Sequence, residues 1–225
     1  MTAIFVSATG TDVGKTFVTA GLIRHLRAQG RAVDAIKPVV SGFDPAAPAG
    51  SDPAALLAAL GRPLTIEEIA RISPWRFAAP LSPDMAARRE GRAIDFDALT
   101  EFCRSAMAKR RGLLLIEGIG GIMVPLDDNH TVLDLMTQLR LPILLVAGSY
   151  VGTISHTLTA LQVLVRRNLD VAAVVVSESA ASAATLKDTI AAIARFSGSI
   201  DVAGIPRLAD APQTHPAFAA IAQLL

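Results

Sequence analysis

The sequence predicts an α/β protein: a mostly parallel β-sheet with helices on both faces. Three observations carry that expectation. Short runs rich in Val, Ile and Leu alternate with longer segments of helical periodicity over the whole chain. Several of the short runs are apolar throughout, as strands covered on both faces must be. Hydrophobic residues make up 52% of the 225 residues and charged residues 18%, which suits one large core and excludes a disordered chain.

Taken in order, the first strand is Ala3–Ser7. The helix Thr16–Gln29 follows, with Val18, Leu22, Ile23 and Leu26 at helical spacing and Gly30 as a natural stop. The second strand is Ala32–Lys37. Ser41–Ser51, rich in Pro, Gly and Ala, reads as a mobile loop. Pro53–Leu60 is the next helix, with Asp52 as a good N-cap and Pro53 at the first helical position. The remaining strands are Leu113–Glu117, Pro142–Ala147, Val171–Ser177 and Asp201–Gly204. The remaining helices are Phe96–Lys109, Val132–Leu139, Thr153–Arg167, Ala183–Arg195 and Pro216–Leu225. With no internal repeat and no composition break, residues 1–225 read as a single domain.

Charge and cysteine content narrow the function classes. Twenty-one basic against 20 acidic residues leave a net charge of +1, which gives no support to nucleic acid binding through a basic face. Apolar runs such as Leu141–Gly148 fall short of the ~18 residues that span a bilayer, and no signal-peptide pattern opens the chain. The expectation is a cytoplasmic protein with neither nucleic acid nor membrane partners. Cys103 is the single cysteine and cannot form an internal disulfide; His25, His130, His156 and His215 lie too far apart for a zinc motif.

The most informative segment is Ala8-Thr-Gly-Thr-Asp-Val-Gly-Lys-Thr16. It follows an apolar strand and opens an amphipathic helix, which is the context a phosphate-binding loop (P-loop) requires. Gly14 lets backbone approach phosphate oxygens, and the free N–H groups of the helix start face the anion. Lys15 suits the β- and γ-phosphates, and the Thr16 hydroxyl suits Mg²⁺. The usual first glycine of such a loop falls at Thr9, with Gly10 one residue late.

Three further residues belong to the same argument. Lys37 leaves a buried strand, where an unpaired ammonium would cost several kcal/mol. It is either a strand-end lysine reaching solvent or a charge matched by bound phosphate. Asp52 is either the cap described above or a Mg²⁺ ligand. Glu117 closes the apolar strand Leu113–Glu117, the place where P-loop proteins keep the acid that holds Mg²⁺. Gly118, Gly120 and Gly121 then bring backbone close to a ligand. Thr16, Asp52 and Glu117 form a hard, oxygen-only set that favours Mg²⁺ over zinc or copper.

These segments, with Lys37-Pro-Val-Val-Ser-Gly42, Ser73-Pro-Trp-Arg-Phe-Ala-Ala-Pro80, Ser82-Pro83 and Gly152-Thr-Ile-Ser-His156, resemble the dethiobiotin synthetase family of biotin biosynthesis over nearly the whole chain. The resemblance implies a P-loop homodimer that uses ATP and Mg²⁺ on two small molecules, 7,8-diaminopelargonate and CO₂. One amine captures CO₂ as a carbamate, ATP converts it to a carbamic–phosphoric anhydride, and the second amine closes the ureido ring. Lys37, Lys15 and Thr11 would then be catalytic. Asp12, Val13, Gly14, Lys15, Thr16 and Phe17 would hold ATP, with Glu117, Gly118, Ile119 and Gly120. So would Ser177, Glu178, Pro206, Arg207 and Leu208. Thr11, Lys37 and Ser41 would contact substrate. So would Gly152, Thr153, Ile154 and Ser155, whose helix start, supplied by the partner subunit, would receive the substrate carboxylate. Taken alone, that segment also reads as a plain helix start.

Two departures stand out. Ala8 replaces a usual glycine, and Ser177-Glu178 replaces a usual Asn-Asp at the adenine contact. A serine cannot offer an amide's paired donor and acceptor, which points to looser discrimination among nucleoside triphosphates. Arg207 reads as a stacking or a solvated arginine. Two other readings of the loop stay open. A partition- or septum-type ATPase switch would carry a second lysine early in the loop, where this chain has Gly10. A cobyrinate-type amidating ligase would bring a glutaminase cysteine, whereas Cys103 lies among apolar helix neighbours.

Overall fold

A computed structural model describes residues 3–208 and 215–225; Met1, Thr2 and 209–214, which belong to the expected 1–225 domain, lie outside the described residues. The elements in chain order are β1 (Ala3–Ala8), α1 (Lys15–Ala28), β2 (Val33–Ile36), β3 (Val39–Ser41), α2 (Asp52–Leu60), α3 (Ile66–Ile72), β4 (Trp75–Phe77), α4 (Pro83–Arg89), α5 (Phe96–Lys109) and β5 (Leu113–Glu117). They continue as α6 (Val132–Leu139), β6 (Ile143–Ala147), α7 (Thr153–Arg166), β7 (Val171–Ser177), α8 (Leu186–Phe196), β8 (Val202–Ile205) and α9 (Pro216–Gln223).

Six strands form one sheet in the order β2-β5-β1-β6-β7-β8, with every neighbouring pair parallel. β1, β5 and β6 are buried along their whole length, which is why their sequences show no polar alternation. Each fully buried Val, Leu or Ile there contributes roughly 1.5–3 kcal/mol. Helices flank the sheet: α1 packs on α2 and α9, α5 on α6, and α7 on α8. The C-terminal α9 is locked to α1 by Phe218, whose ring fills the space above Gly21; a Cβ there would lie 2.0 Å from it. The same ring tilts against Phe17, with centroids 6.0 Å apart.

The register positions the chemistry. Val6 of β1 pairs with Glu117 of β5, so the two central strands end together, and the loops that follow them share one edge. Parallel α/β sheets bind ligands at that edge, where neighbouring strands send their connections in opposite directions. β1 is such a strand, with β5 on one side and β6 on the other.

Some elements differ from the expectation. A second, two-stranded parallel sheet pairs β3 with β4, and α3 and α4 lie beside it. Ser41–Ser51 is more ordered than a plain loop: Ser41 ends β3, and Pro48–Gly50 forms a 3₁₀ turn. α8 starts at Leu186 and not at Ala183, because the Thr185 side chain accepts the Asp188 N–H. Asp52 is not the cap of α2. Ser51 holds that place and accepts the Ala54 N–H, and Asp52 lies in the first turn with its carboxylate free for other work.

Candidate active site

The P-loop is built by backbone that cannot continue a strand. After β1, Thr9 still donates to Val146 O (2.9 Å); then Asp12 and Gly14 take left-handed conformations, φ 57° and 94°. Gly14 is the N-cap of α1 and offers no side-chain acceptor, so the first-turn N–H groups face outward unsatisfied. A Cβ on Gly14 would lie 2.7 Å from Ser177 Oγ, so the turn is tight as well as left-handed. Lys15 is buried and donates to Gly120 O (2.9 Å) and Gly10 O (3.4 Å), which ties the loop after β5 to the P-loop. Its pKa is lowered to about 8, first by burial and then by the neighbouring Lys37 charge, against smaller opposing pulls from Glu117, Asp52 and Asp12.

Lys37 follows β2 and is 2% exposed. Its ammonium sits between two carboxylates, 2.6 Å from Glu117 Oε1 and 2.8 Å from Asp52 Oδ2. Burial alone would pull the Lys37 pKa down; Glu117 and then Asp52 outweigh it and hold the group above the ordinary lysine value. Asp52, half exposed at the mouth, would be raised by partial burial, but Lys37 brings it below the usual carboxylate range. Thr16 Oγ1 donates to the same Glu117 Oε1 at 2.6 Å. Glu117 Oε2 is buried and has no partner among the described residues. A buried oxygen left open carries a desolvation cost that a cation would remove.

Of these groups Gly14, Lys15, Thr16, Lys37 and Asp52 line one cleft of about 650 Å³; Glu117 is fully buried and reaches it only through Lys37 and Thr16. Thr11, Asp12, Gly14, Lys15, Thr16 and Phe17 of the P-loop and α1 line it, with Ile119 and Gly120 after β5 and with Lys37, Ser41 and Asp52. Ser41 Oγ is buried and has no partner among the described residues. Val13 and Gly118 support the cleft from behind: Val13 is buried, and a Cβ on Gly118 would meet the Phe5 ring at 2.9 Å. Pro80, Leu81, Ser82 and Pro83 also line it, with Pro80 packed beside Gly42; the sequence assigns them no role. The available signal was Ser82-Pro83, which opens α4 with Pro at the first helical position. Val124 completes the lining and carried no signal.

Ser177, Glu178 and residues 206–208 gather beside this cleft and do not line it. Glu178 N donates to Ile205 O (2.9 Å), and Arg207 N donates to Glu178 Oε2 (2.8 Å), so Pro206, exposed Arg207 and Leu208 are held next to the end of β7. Ser177 reaches the P-loop through Gly14. Gly152–Ser155 lies elsewhere. It opens α7 after β6, it does not line the cleft of its own chain, and Gly152, Ile154 and Ser155 are exposed. Thr153 is buried and spends its hydroxyl on Gly148 O (2.7 Å), so of the two hydroxyls expected there only that of Ser155 faces outward.

The remaining chemistry-bearing residues have structural surroundings. Cys103 is buried in α5 and its thiol is pushed up to about 12 by burial, which makes it inert at neutral pH. His130 stacks on Phe96 at 3.9 Å and bonds Asp127 at 2.9 Å; His156 bonds Tyr150 at 2.8 Å. Among the described residues, no helix is long and apolar enough to cross a membrane.

Known proteins agree with this layout. A family model described as an AAA domain matches residues 2–215. Solved structures of similar fold include the MinC:MinD cell division protein complex of Aquifex aeolicus (TM-score 0.54, 12% identity, 93% of this chain and 82% of that one). Another is a ParA family ATPase of Chlorobium tepidum TLS (TM-score 0.53, 13% identity, 92% and 84%). At such identity they show a shared P-loop fold and nothing finer. The sequence relatives are far nearer. The ATP-dependent dethiobiotin synthetase BioD of Caulobacter vibrioides is 52% identical over 92% of this chain and 93% of its own. That of Acidiphilium cryptum is 50% identical over 79% and 80%, and that of Anaeromyxobacter dehalogenans 40% over 80% and 78%. With identity this high along most of both chains, the protein belongs to the ATP-dependent dethiobiotin synthetase family.

Proposed function

We propose that this protein closes the ureido ring of dethiobiotin from 7,8-diaminopelargonate and CO₂, as a ligase dependent on ATP and Mg²⁺. The observation that carries the reading is Lys37, an ammonium at the wall of the cleft with two carboxylates already on it. A lysine has three donors; two are spent, and the third is free for an oxygen in the cleft. Because Glu117 and Asp52 hold it protonated, Lys37 works as a fixed positive charge and not as a base. It would neutralise the carbamate oxygen and the transferring phosphoryl group.

Lys15 is in place at the end of the loop for the β- and γ-phosphates. On binding it would exchange two backbone carbonyls for phosphate oxygens, a change that favours the charged form. Thr11 and Ser41 both line the cleft and bring hydroxyls suited to hold the substrate. Pro80 and Leu81 give that end of the cleft an apolar surface for an aliphatic chain. Asp12 through Phe17 with Glu117 through Gly120 would hold the phosphates, and Ser177, Glu178 and 206–208 the base.

Mg²⁺ fits the donor set: Thr16 Oγ1, Asp52 and the open Glu117 Oε2 are hard oxygens. Among the described residues no group of three His, Cys, Asp or Glu could hold a metal alone, so phosphate oxygens and water complete the shell, as is usual for this ion. When bound, the ion offsets charge on the transferring phosphoryl group.

Residues 1–225 act as one domain in this reading, in a cytoplasmic homodimer without nucleic acid or membrane partners. The exposed start of α7, which does not line the cleft of its own chain, supports an arrangement in which a second copy brings that helix to the substrate carboxylate.

The test is phosphate release with ATP, Mg²⁺, bicarbonate and the diamine. Lys37→Ala should lose roughly 10²–10³-fold or more in kcat. Because it strands Glu117 in the interior, Lys37→Met with Glu117→Gln serves as a second variant that buries no lone charge. Phosphate release indifferent to the diamine would reject the reading, and near-normal turnover in both variants would remove Lys37 from it.

A further inference from the structure

The sheet has a second polar edge, where its strands begin. A cleft of about 460 Å³ opens there, lined by seven Lys and Arg side chains and a single carboxylate, Asp34. In a chain whose net charge is only +1, that concentration of one sign is local and large.

Part of it is structural. Arg27 donates to Ala59 O at the end of α2 (2.8 Å), and Arg62 and Arg71 share Glu68. Arg110 bonds Met107 O in the last turn of α5. Lys109 also sits in that turn, where a helix dipole welcomes a cation. Neither explanation reaches Arg31 and Arg111. Both lie beyond the helix ends, both are exposed, and neither side chain has an ion-pair or hydrogen-bond partner among the described residues.

Their placement is costly. Val33 of β2 pairs with Leu113 of β5, and Leu113 N donates to Ala32 O at 3.1 Å. Arg31 and Arg111, two residues before each strand begins, therefore lie on the neighbouring segments that lead into the paired strands. Like charges on adjacent strands destabilise a sheet unless something neutralises them. Parallel register fixes the pair, so the repulsion cannot be relieved by slipping a residue.

We propose that this cleft binds a small polyphosphorylated anion, held by Arg31 and Arg111 with Lys109 beside them, at the edge of the sheet opposite the P-loop. Arginine forks match phosphate oxygens in pairs, and a ligand of several negative charges suits a rim of several cations. The proposal is independent of the ligase reading, since none of these residues lines the P-loop cleft.

Inorganic tripolyphosphate, titrated by calorimetry at low ionic strength without metal, should fill two sites per chain. Arg31→Ala/Arg111→Ala should keep one site, and Lys15→Ala should keep the other. Arg111→Gln, a milder change, should weaken the second site at least tenfold while dethiobiotin formation at saturating ATP stays at the wild-type rate. Running the same titration with ATP tells an inorganic from a nucleotide source; filling of the second site by either supports the proposal. Two sites of unchanged affinity in the arginine variants would overturn it. So would a duplex oligonucleotide that expels tripolyphosphate from the arginine cleft, which would make this edge a nucleic acid surface.

Discussion

Two helices of this protein, α1 and α7, begin alike and stand in different surroundings. Each follows a central strand, and each is opened by a left-handed glycine, Gly14 at φ 94° and Gly152 at φ 98°, without a side-chain cap. By contrast α2, α3, α5 and α8 close their first turns with Ser51, Thr65, Asp95 and Thr185. A cap stabilises a helix by about 1 kcal/mol, so α1 and α7 forgo stability to keep donors open; α4 lacks a side-chain cap as well, but its first position is Pro83, which has no N–H to offer. The difference lies in what surrounds them. α1 carries Lys15, Thr16 and a tight contact from Ser177, as a phosphate requires. α7 presents no cation in its first turn and is exposed, as suits a single carboxylate brought by another molecule.

Replacing each glycine should separate the two most sharply. Gly14→Ala forces a Cβ to 2.7 Å from Ser177 Oγ, while at Gly152 the nearest atom is 3.6 Å away. Gly14→Ala should weaken ATP binding on the order of a hundredfold, an estimate from about 1–3 kcal/mol of left-handed strain plus the clash. Adding Ser177→Ala should recover part of that loss in a double-mutant cycle. Equal effects of the two alanines on ATP binding would break the comparison.

A smaller effect is expected from Gly152→Asp, which puts a carboxylate where the substrate's own would dock. The KM for the diamine should rise about tenfold while the ATP Kd stays within twofold, since an N-terminal charge interaction of up to ~2 kcal/mol is reversed. Mixed one-to-one with Lys37→Ala and assayed at diamine well below its KM, it should rise to about a quarter of wild-type activity if copies exchange to form hybrid dimers. No recovery after exchange would place α7 outside the shared site.

The mildest test is pH. With its pKa at about 8 in the free protein, Lys15 is charged below that value and loses its proton above it. Bound phosphate keeps the charge, so nucleotide binding should take up a proton above pH 8, and the Kd should rise by up to tenfold per pH unit. Below pH 7 this contribution is flat. Calorimetry at pH 8.5 in two buffers of different ionisation enthalpy reads the uptake directly, and none at all would exclude Lys15 as the group responsible.

The sheet was legible because its strands are unusually plain. β1, β5 and β6 are buried on both faces, and burial leaves an apolar run that can be read without tertiary information. β3 and β4 are three residues each, too short to show a period, and α3 and α4 are seven each. Asp52, which the sequence leaves open between cap and ligand, is more instructive. Ser51 and Asp52 are both good caps, and only the approach of Lys37 decides between them, by drawing the aspartate's carboxylate into an ion pair 2.8 Å long. The Lys37–Glu117–Thr16 junction was legible as residue types at strand ends; that one Glu117 oxygen serves both partners was not, because it depends on the packing of three elements.

The wedge of Phe218 over Gly21 has a practical consequence. The last helix is fastened to the element that carries the P-loop, and through Phe17 it touches the nucleotide cleft itself. Loss of that ring, by Phe218→Ala or by removal of α9, would therefore loosen α1 and reach ATP affinity through Phe17.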